Sequence, residues 1–556
     1  MRTNYDMRVC INYHPEGYTI EGPKLMGRNV AGESFLRGFA KHSRANKFWV
    51  RVEDPKHAQI FGETLKAQER QERLSIVQRH SIDKLREAGV LYHPGPDIGL
   101  HAFRRTLFGD DAWSLCGITH TTASAYSMDS LAQLITAPLQ PWDSVICTSK
   151  SVKSNVNKVL ETQVEYLKAR FNSTNFSFPK LPVIPLGIHA DEFNFSDEQK
   201  RRARVSLEIA DNTLVVLFMG RLSFHAKAHP LAMYQALQKS SEITGKKIVL
   251  IECGWHANED ISNAYKQATE VACPNVEVVH LDGRESSNRK LAWAAADIFC
   301  SLSDNIQETF GISPVEAMAA GLPCVVSDWD GYRDTIRDGV DGILVPTTMP
   351  KAGLGVDIAE RHALEIDSYD MYLGHTSSLV AVDVDLATEA FVTLFNSEEM
   401  RQKMGAEGRK RALDVYEWKV IIPQYETLWE SLEELRKEKS GEVKSLSYPW
   451  PSRMDPFYGF DQYPTSALAM ETLFVLVDTN SQEALDRVKG YLKLAMVNYA
   501  PLVVPDIDEL AGVLGILESG PMSAAELVKH FPDIRQAYIF RSLLWLLKLN
   551  ILKVYK

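Results

Sequence analysis

Residues 297–331 read DIFCSLSDNIQETFGISPVEAMAAGLPCVVSDWDG. An apolar run ending near Leu302 reads as a strand, and a polar loop carrying Glu308, Phe310 and Gly311 follows it. A helix is expected around Pro314, and PCVVSD reads as the next strand. A strand, a helix and a second strand in such close order form a βαβ unit, which implies a parallel sheet. Pro314 is expected near the first helical position, where its missing N–H costs nothing, and Glu316 then falls in the first turn. The loop after a parallel strand faces the ligand crevice, so Glu308 and Glu316 are expected at the two ends of one loop-to-helix turn there. A carboxylate accepts hydrogen bonds from paired hydroxyls, as on a ribose or hexose, while unpaired N–H groups at a helix start suit a phosphate. Spacing alone leaves Glu316 a second reading, as a first-turn carboxylate complementing the helix dipole.

The same alternation extends outward in both directions. MRVCINY, KFWVRV, SLCGITH, SVICTS, PVIPLGI, TLVVLFMG, KIVLIECG, VEVVHLDG and GILVP read as strands. Between them lie helical patterns such as GESFLRGFAKHSR, SVKSNVNKVLETQVEYLKARF and HPLAMYQALQKSSEI. The expected fold class is therefore α/β, with two Rossmann-like doubly wound domains over residues 1–198 and 199–415. The polar segment HADEFNFSDEQKRRARVSLEIADN reads as the linker between them. Residues 416–440 read as one amphipathic helix, and the Pro-, Gly- and Ser-rich stretch 440–464 marks a boundary.

The remaining residues, 455–556, are expected to form a small, mainly α-helical domain. Helical patterns at 466–477 and 481–496 precede IDELAGVLGILESG, MSAAELVKHF, IRQAYIFRSLLWLLKLN and a terminal strand, ILKVY. That succession resembles a winged helix. Residues 501–556 carry six acids against six bases, a balance that disfavours DNA binding.

Composition narrows the class. The chain has 556 residues, 45% hydrophobic and 24% charged, the profile of a globular protein of several domains. A net charge of -11 argues against nucleic acid as a partner. The seven cysteines include no C-x-x-C, and Cys10, Cys147, Cys300 and Cys324 sit in apolar runs, as buried reduced thiols would. With no apolar leader and no apolar stretch of roughly eighteen residues, a cytoplasmic location is expected. Lys150, Lys153, Lys158, Lys168 and Arg170 fall on or beside one helix, which leaves a peripheral membrane contact open beside the simpler reading of a solvated face. P-loop, G-x-G-x-x-G, G-x-S-x-G and H-E-x-x-H motifs are all lacking.

Arg221 and Lys227 stand six residues apart in a loop led by Gly220, directly after TLVVLFMG. Alone they read as a solvated pair. Two cations at a strand's carboxyl end also suit an anionic ligand such as a phosphate.

The string ETFGISPVEAMAAGLP, from Glu308 to Pro323, resembles the E-x7-E signature of family-4 glycosyltransferases, retaining enzymes of the GT-B fold. VIPLGIHADEF, FMGRLSFHAK, VVHLDGRES and AAADIFCSLS occur in that family's order, so the resemblance is fullest over 183–346 and does not cover the tail. It implies an acceptor-side domain at 1–198, a nucleotide-sugar domain at 199–415 and a metal-free transfer from a UDP- or GDP-linked sugar, with no cofactor beyond that co-substrate. A glycan, lipid-linked or protein acceptor would take the sugar, and the tail would serve assembly or acceptor delivery.

By resemblance, Arg221 and Lys227 receive the leaving diphosphate, Glu308 holds sugar hydroxyls and Glu316 holds the ribose. His120, after SLCGITH, approaches the donor sugar. Backbone amides of Phe310, Gly311, Ile312 and Ser313 grip sugar and phosphate, and Leu281, Asp282 and Gly283 edge the base. Gly27 and Gly32 are candidates for a glycine loop, although the usual adjacent glycine pair is lacking and Ala228 stands where the family has Gly. A nucleotide-sugar epimerase or a phosphorylase shares this architecture. A degenerate scaffold acting through the tail is a further alternative.

Overall fold

The computed structural model describes residues 8–19, 27–443 and 448–555. Its short apolar runs assemble into two parallel six-stranded sheets. The first contains β1 (Cys10–Asn12), β2 (Lys47–Arg51), β3 (Arg73–Val77), β4 (Val90–Tyr92), β5 (Ser114–Ile118) and β6 (Ser144–Ile146), in the order β3-β2-β1-β4-β5-β6. The second contains β7 (Leu214–Met219), β8 (Ile248–Gly254), β9 (Glu277–Asp282), β10 (Ile298–Ser301), β11 (Cys324–Ser327) and β12 (Gly342–Val345), in the order β12-β11-β10-β7-β8-β9. Read from its other edge, the second order repeats the first. Each sheet therefore has one point where the winding reverses, between β1 and β4 and between β7 and β10, and ligands bind at the carboxyl ends there. This is the two-lobed GT-B arrangement.

Central strands are mostly apolar because helices cover both faces. Every residue of Leu214–Met219 is buried, as is every residue of Ile248–Gly254. The covering helices present narrower stripes. In Lys150–Phe171 the buried positions are Val152, Val156, Leu160 and Val164, four residues apart, and each side chain contributes about 1.5–3 kcal/mol on burial. Ser149 caps that helix by accepting from the Val152 amide, and Asn172 ends it in the left-handed conformation.

The helix Trp418–Lys439 returns to the first lobe. A Cβ on Gly38 would lie 2.4 Å from the Trp418 ring, and Trp418 Nε1 donates to Ser34 Oγ at 2.8 Å. Beneath the first sheet, Arg105 and Asp143 form a fully buried two-pronged pair at 2.6 and 2.8 Å. All seven cysteines are free and buried. No helix among the described residues is long and apolar enough to cross a membrane.

Several local expectations are corrected. The polar segment after Ile188 is more than a linker: Asp197–Ser206 is a helix started by a reciprocal Ser196–Gln199 capping box, and it packs on Ser286–Ala295. PVIPLGI is no sheet strand and makes only isolated bridges, at Val183 and Ile188. Gly27 opens the helix Gly27–His42 and Gly32 lies inside it, so neither belongs to a loop. A Cβ on Gly32 would sit 2.0 Å from the Gly17 carbonyl oxygen, which gives that glycine a packing reason. The preceding residues, 22–26, lie outside the described residues.

Contacts divide the chain into two compact units, 1–450 and 451–556. The second has its own core around Phe474, Leu514, Leu527 and Leu543. The helix expected at 466–477 is instead a strand, β13 (Leu473–Leu476), paired antiparallel with β14 (Met522–Ser523) and β15 (Leu552–Val554). Helices Ser481–Tyr491, Ile507–Leu517 and Asp533–Lys548 pack with that sheet.

Candidate active site

The switch point of the second sheet gathers the cations and the carboxylate. β7 runs into Gly220 and the loop carrying Arg221 and Lys227, while the neighbouring strand β10 runs into the loop carrying Gln307 and Glu308. Lys227 Nζ lies 2.5 Å from Glu308 Oε2. The Thr309 amide donates to Glu308 Oε1 at 3.3 Å, and the Tyr332 hydroxyl, 2.9 Å from Ser301 Oγ, reaches Glu308 Oε2 at 3.5 Å. Burial alone would raise the Glu308 carboxyl. The Lys227 charge and hydrogen bond, with the Thr309 and Gly311 amides, outweigh it and hold the carboxyl below its usual range. Glu308 is thus an ionised carboxylate with its proton acceptors occupied.

Arg221 is fixed beside this pair. Its Nη2 donates to the Ala226 carbonyl at 2.6 Å and to Gln307 Oε1 at 3.1 Å. Gln307 Nε2 in turn donates to the Tyr369 hydroxyl at 3.3 Å. Thus Arg221, Lys227, Gln307 and Glu308 form one connected polar group.

Gly311 turns the chain from that loop into the helix Ile312–Ala319. Its φ is +77°, and a Cβ there would lie 2.0 Å from Tyr332 Cε1, so only glycine fits. The helix consequently begins at Ile312 and Ser313, and Pro314 is third rather than first. Glu316 is displaced with it, from the first turn to the fifth residue, which removes the helix-dipole reading. Phe310 is buried against Tyr416, ring centroids 6.0 Å apart, so only its backbone is available to a ligand.

Glu316 differs from Glu308 in every electrostatic respect. It is half-buried and, among the described residues, its side chain makes no hydrogen bond or ion pair. Burial pushes its carboxyl up to about 7, against the opposing charge of Arg289 and with further help from Glu192. Arg289 Nη1 donates to the Gly283 carbonyl at 2.7 Å, which connects the surroundings of Glu316 to the turn after β9. Leu281 and Asp282 end that strand, and Asp282 pairs with Arg284 at 2.6 Å. Gly220, Gly254 and Gly283 lie flush at three neighbouring strand ends. A Cβ on Gly254 would sit 1.9 Å from the Gly220 oxygen, and one on Gly283 would sit 2.9 Å from Gly254 Cα.

His120 lies two residues beyond β5, and its carbonyl accepts from Thr309 Oγ1 at 2.9 Å. The first lobe therefore touches the Glu308 loop directly. Ser149 Oγ donates to Asp330 Oδ1 at 3.2 Å, and the Lys150 amide donates to Asp334 Oδ2 at 2.7 Å, which fastens the lobes beside the site. Sequence reasoning missed Gln307, Thr309, Tyr332 and Tyr369. The first two lie inside the quoted motif, but their roles depend on partners from other segments. Among the described residues, no group of three or more His, Cys, Asp or Glu side chains is placed to hold a metal.

Fold and site together define a two-lobed α/β protein with a cation–carboxylate centre at the switch point of its second lobe. Within it, residues 199–354 match the family model described as glycosyl transferases group 1. The chain is 30% identical over 237 residues to an uncharacterized glycosyltransferase of Methanocaldococcus jannaschii, covering 42% of this chain and 55% of that protein. It is also 30% identical over 149 residues to the phosphatidyl-myo-inositol mannosyltransferase of Mycobacterium leprae, covering 27% of this chain and 30% of that protein. The match thus spans about half of the first relative and less of the second. Among solved structures, Anabaena HepE in complex with UDP aligns with a TM-score of 0.47 and 14% identity, over 78% of this chain and 99% of that one.

Proposed function

We propose that the protein is a retaining glycosyltransferase of family 4, transferring a sugar from a UDP- or GDP-linked donor to an acceptor hydroxyl without a metal. The observation that carries this reading is the convergence of Arg221, Lys227 and Glu308 at one switch point. The match of residues 199–354 to the glycosyl transferase group 1 model supports it, as do relatives named for glycosyl and mannosyl transfer.

In this reading the donor's diphosphate enters between Arg221 and Lys227, and Lys227 exchanges part of its contact with Glu308 for phosphate oxygen. Negative charge grows on the diphosphate as the anomeric bond breaks, so two fixed cations stabilise the transition state more than the ground state. Glu308, relieved of part of its ion pair, accepts from sugar hydroxyls. Glu316 accepts from the ribose hydroxyls, and Leu281–Gly283 edge the base. The His120 segment faces the sugar from the first lobe. The acceptor hydroxyl attacks from the face the diphosphate leaves, and its proton passes to the departing phosphate, which preserves the anomeric configuration. Closure of the lobes excludes water and limits hydrolysis. The tail, read as a winged-helix-like module, serves assembly or acceptor delivery.

The test incubates the full chain with a panel of nucleotide sugars, with and without a chelator, and follows release of nucleoside diphosphate. Chelator-insensitive release that falls sharply in both Arg221→Ala and Lys227→Ala is expected. Release without a donor preference, or unchanged in the double variant, overturns the assignment. The anomeric configuration of the product, read by NMR, tests retention.

A further inference from the structure

The first lobe has a switch point of its own, and Arg51 ends the strand next to it. Asn12 ends β1, Arg51 ends β2, and His93 follows β4. Arg51 Nη1 donates to Asn12 Oδ1 at 2.7 Å, and Asn12 Nδ2 donates to His93 Nδ1 at 2.8 Å. His93 Nε2 lies 2.9 Å from Asp97 Oδ1, whose other oxygen accepts from the Tyr126 hydroxyl at 2.7 Å. Both ring nitrogens of His93 are therefore engaged, so the imidazole acts as a strut between two strands and not as a free base. This chain of bonds spans β1 and β4, the reversal itself, and locks Arg51 at its edge.

Positive charge there exceeds what the carboxylates satisfy. Arg51 is 6% exposed, yet its Nε is buried with no hydrogen-bond partner among the described residues. Arg51 and Arg79 share one carboxylate, Glu53, at 3.4 and 2.7 Å. Arg104 is partly buried and, among the described residues, its side chain has no hydrogen bond or ion pair. Burial, then the like charges of Arg51 and Arg79, hold its guanidinium below the usual range, and Glu53 offsets this only in part. Asp97 is already committed to His93 and Tyr126. Among the described residues, Glu53 is the one carboxylate that pairs with Arg51 and Arg79, and Arg104 pairs with none. A carboxylate has two oxygens and is satisfied by one bidentate arginine, whereas a phosphate offers several to more than one.

We propose that the Arg51–Arg79–Arg104 edge binds a phosphate group carried by the acceptor. The molecule that receives the sugar is then a phosphorylated one, and its phosphate, held at this edge, orients the attacking hydroxyl toward the second lobe. This rests on the transferase reading for the word acceptor, while the phosphate site stands on its own geometry.

The experiment titrates the full chain calorimetrically with inorganic phosphate while uridine diphosphate fills the donor site, and repeats this with Arg104→Gln and with Arg79→Gln. The Arg79 side chain is exposed, so its variant keeps the fold. Each substitution should weaken phosphate binding about 10- to 100-fold, the range of a lost charge-assisted hydrogen bond. Equal affinity in the wild type and both variants overturns the proposal, as does no binding of phosphate in any form. Sedimentation with phosphatidylcholine vesicles, with and without phosphatidylglycerol, assigns the source. Binding that requires the anionic lipid and the arginines places the phosphate on a lipid headgroup, and binding of soluble phosphate alone places it on a soluble acceptor. If uridine diphosphate fails to bind, the donor reading falls, but phosphate binding that survives Lys227→Ala and is lost in Arg104→Gln still supports the arginine edge.

Discussion

Replacing Glu316 with glutamine should make the fold more stable and the donor site weaker, and only above a certain pH. The carboxyl rises from its ordinary 4.5 to about 7 because burial penalises the charged form and Arg289 compensates only partly. Converted at about 1.4 kcal/mol per tenfold, that gap is about 3 kcal/mol, trimmed to roughly 2–3 kcal/mol by the partial exposure of the side chain. The sign follows from which state ionises first. As pH rises above about 4.5 the unfolded chain loses this proton while the folded chain keeps it, so the native state loses stability until about pH 7 and the penalty is constant above that. Glutamine keeps the shape and cannot ionise. At pH 8 the variant should therefore melt several degrees higher than the wild type, and at pH 4.5 the two should coincide. Circular dichroism melts at the two pH values measure this. Calorimetry with uridine diphosphate at pH 8 should show weaker binding by the variant, since the ribose hydroxyls lose a charged acceptor. Wild-type affinity should rise between pH 6 and 8 as the carboxyl ionises. A variant that is less stable at pH 8, or whose advantage persists unchanged at pH 4.5, would refute the reasoning.

Four further outcomes are expected. Arg221→Ala and Lys227→Ala should each lower turnover by about two orders of magnitude, the cost of one lost donor to a developing anion, measured as nucleoside diphosphate release. Lys227→Ala should also allow the Glu308 carboxyl to rise, so the acid limb of its pH–rate profile moves to higher pH. Gly311→Ala, whose new methyl meets Tyr332 Cε1 at 2.0 Å with φ at +77°, should lower the melting temperature and abolish turnover at temperatures where the wild type is active. Asp143→Ala strands the fully buried Arg105 and should cost about 3–5 kcal/mol, read as a shift in the denaturant midpoint.

Which parts of this architecture were legible follows from how each segment is buried. TLVVLFMG and KIVLIECG are covered on both faces, so LVVLFM and IVLI are continuous apolar runs that read directly as strands. Arg73–Val77 is an edge strand exposed at Arg73 and Ile76, and Val90–Tyr92 has three residues; neither produces a run long enough to see. Residues 466–477 have apolar positions at helical spacing, yet Phe474 is fully buried between two antiparallel partners, so tertiary pairing overrides the local pattern. The site was half legible for a similar reason. Arg221, Lys227 and Glu308 follow strands, and strand ends in a doubly wound sheet converge whatever the loops do. Pro314 misled because the left-handed turn at Gly311, forced by the Tyr332 ring, starts the helix earlier than the proline suggests.

The two lobes use one strand order to opposite electrostatic ends. At the second switch point Lys227 is paired with Glu308 at 2.5 Å, so on the proposed reading a diphosphate displaces an existing partner. At the first, Arg104 has no partner to displace among the described residues, and an anion would relieve repulsion already present. A short link joins the Glu308 loop to the first lobe. Glu308 is bonded in sequence to Thr309, and Thr309 donates to the His120 carbonyl two residues beyond β5. On the proposed reading, a donor that draws Lys227 from Glu308 disturbs the residue next to Thr309, whose hydroxyl fastens the second lobe to the first.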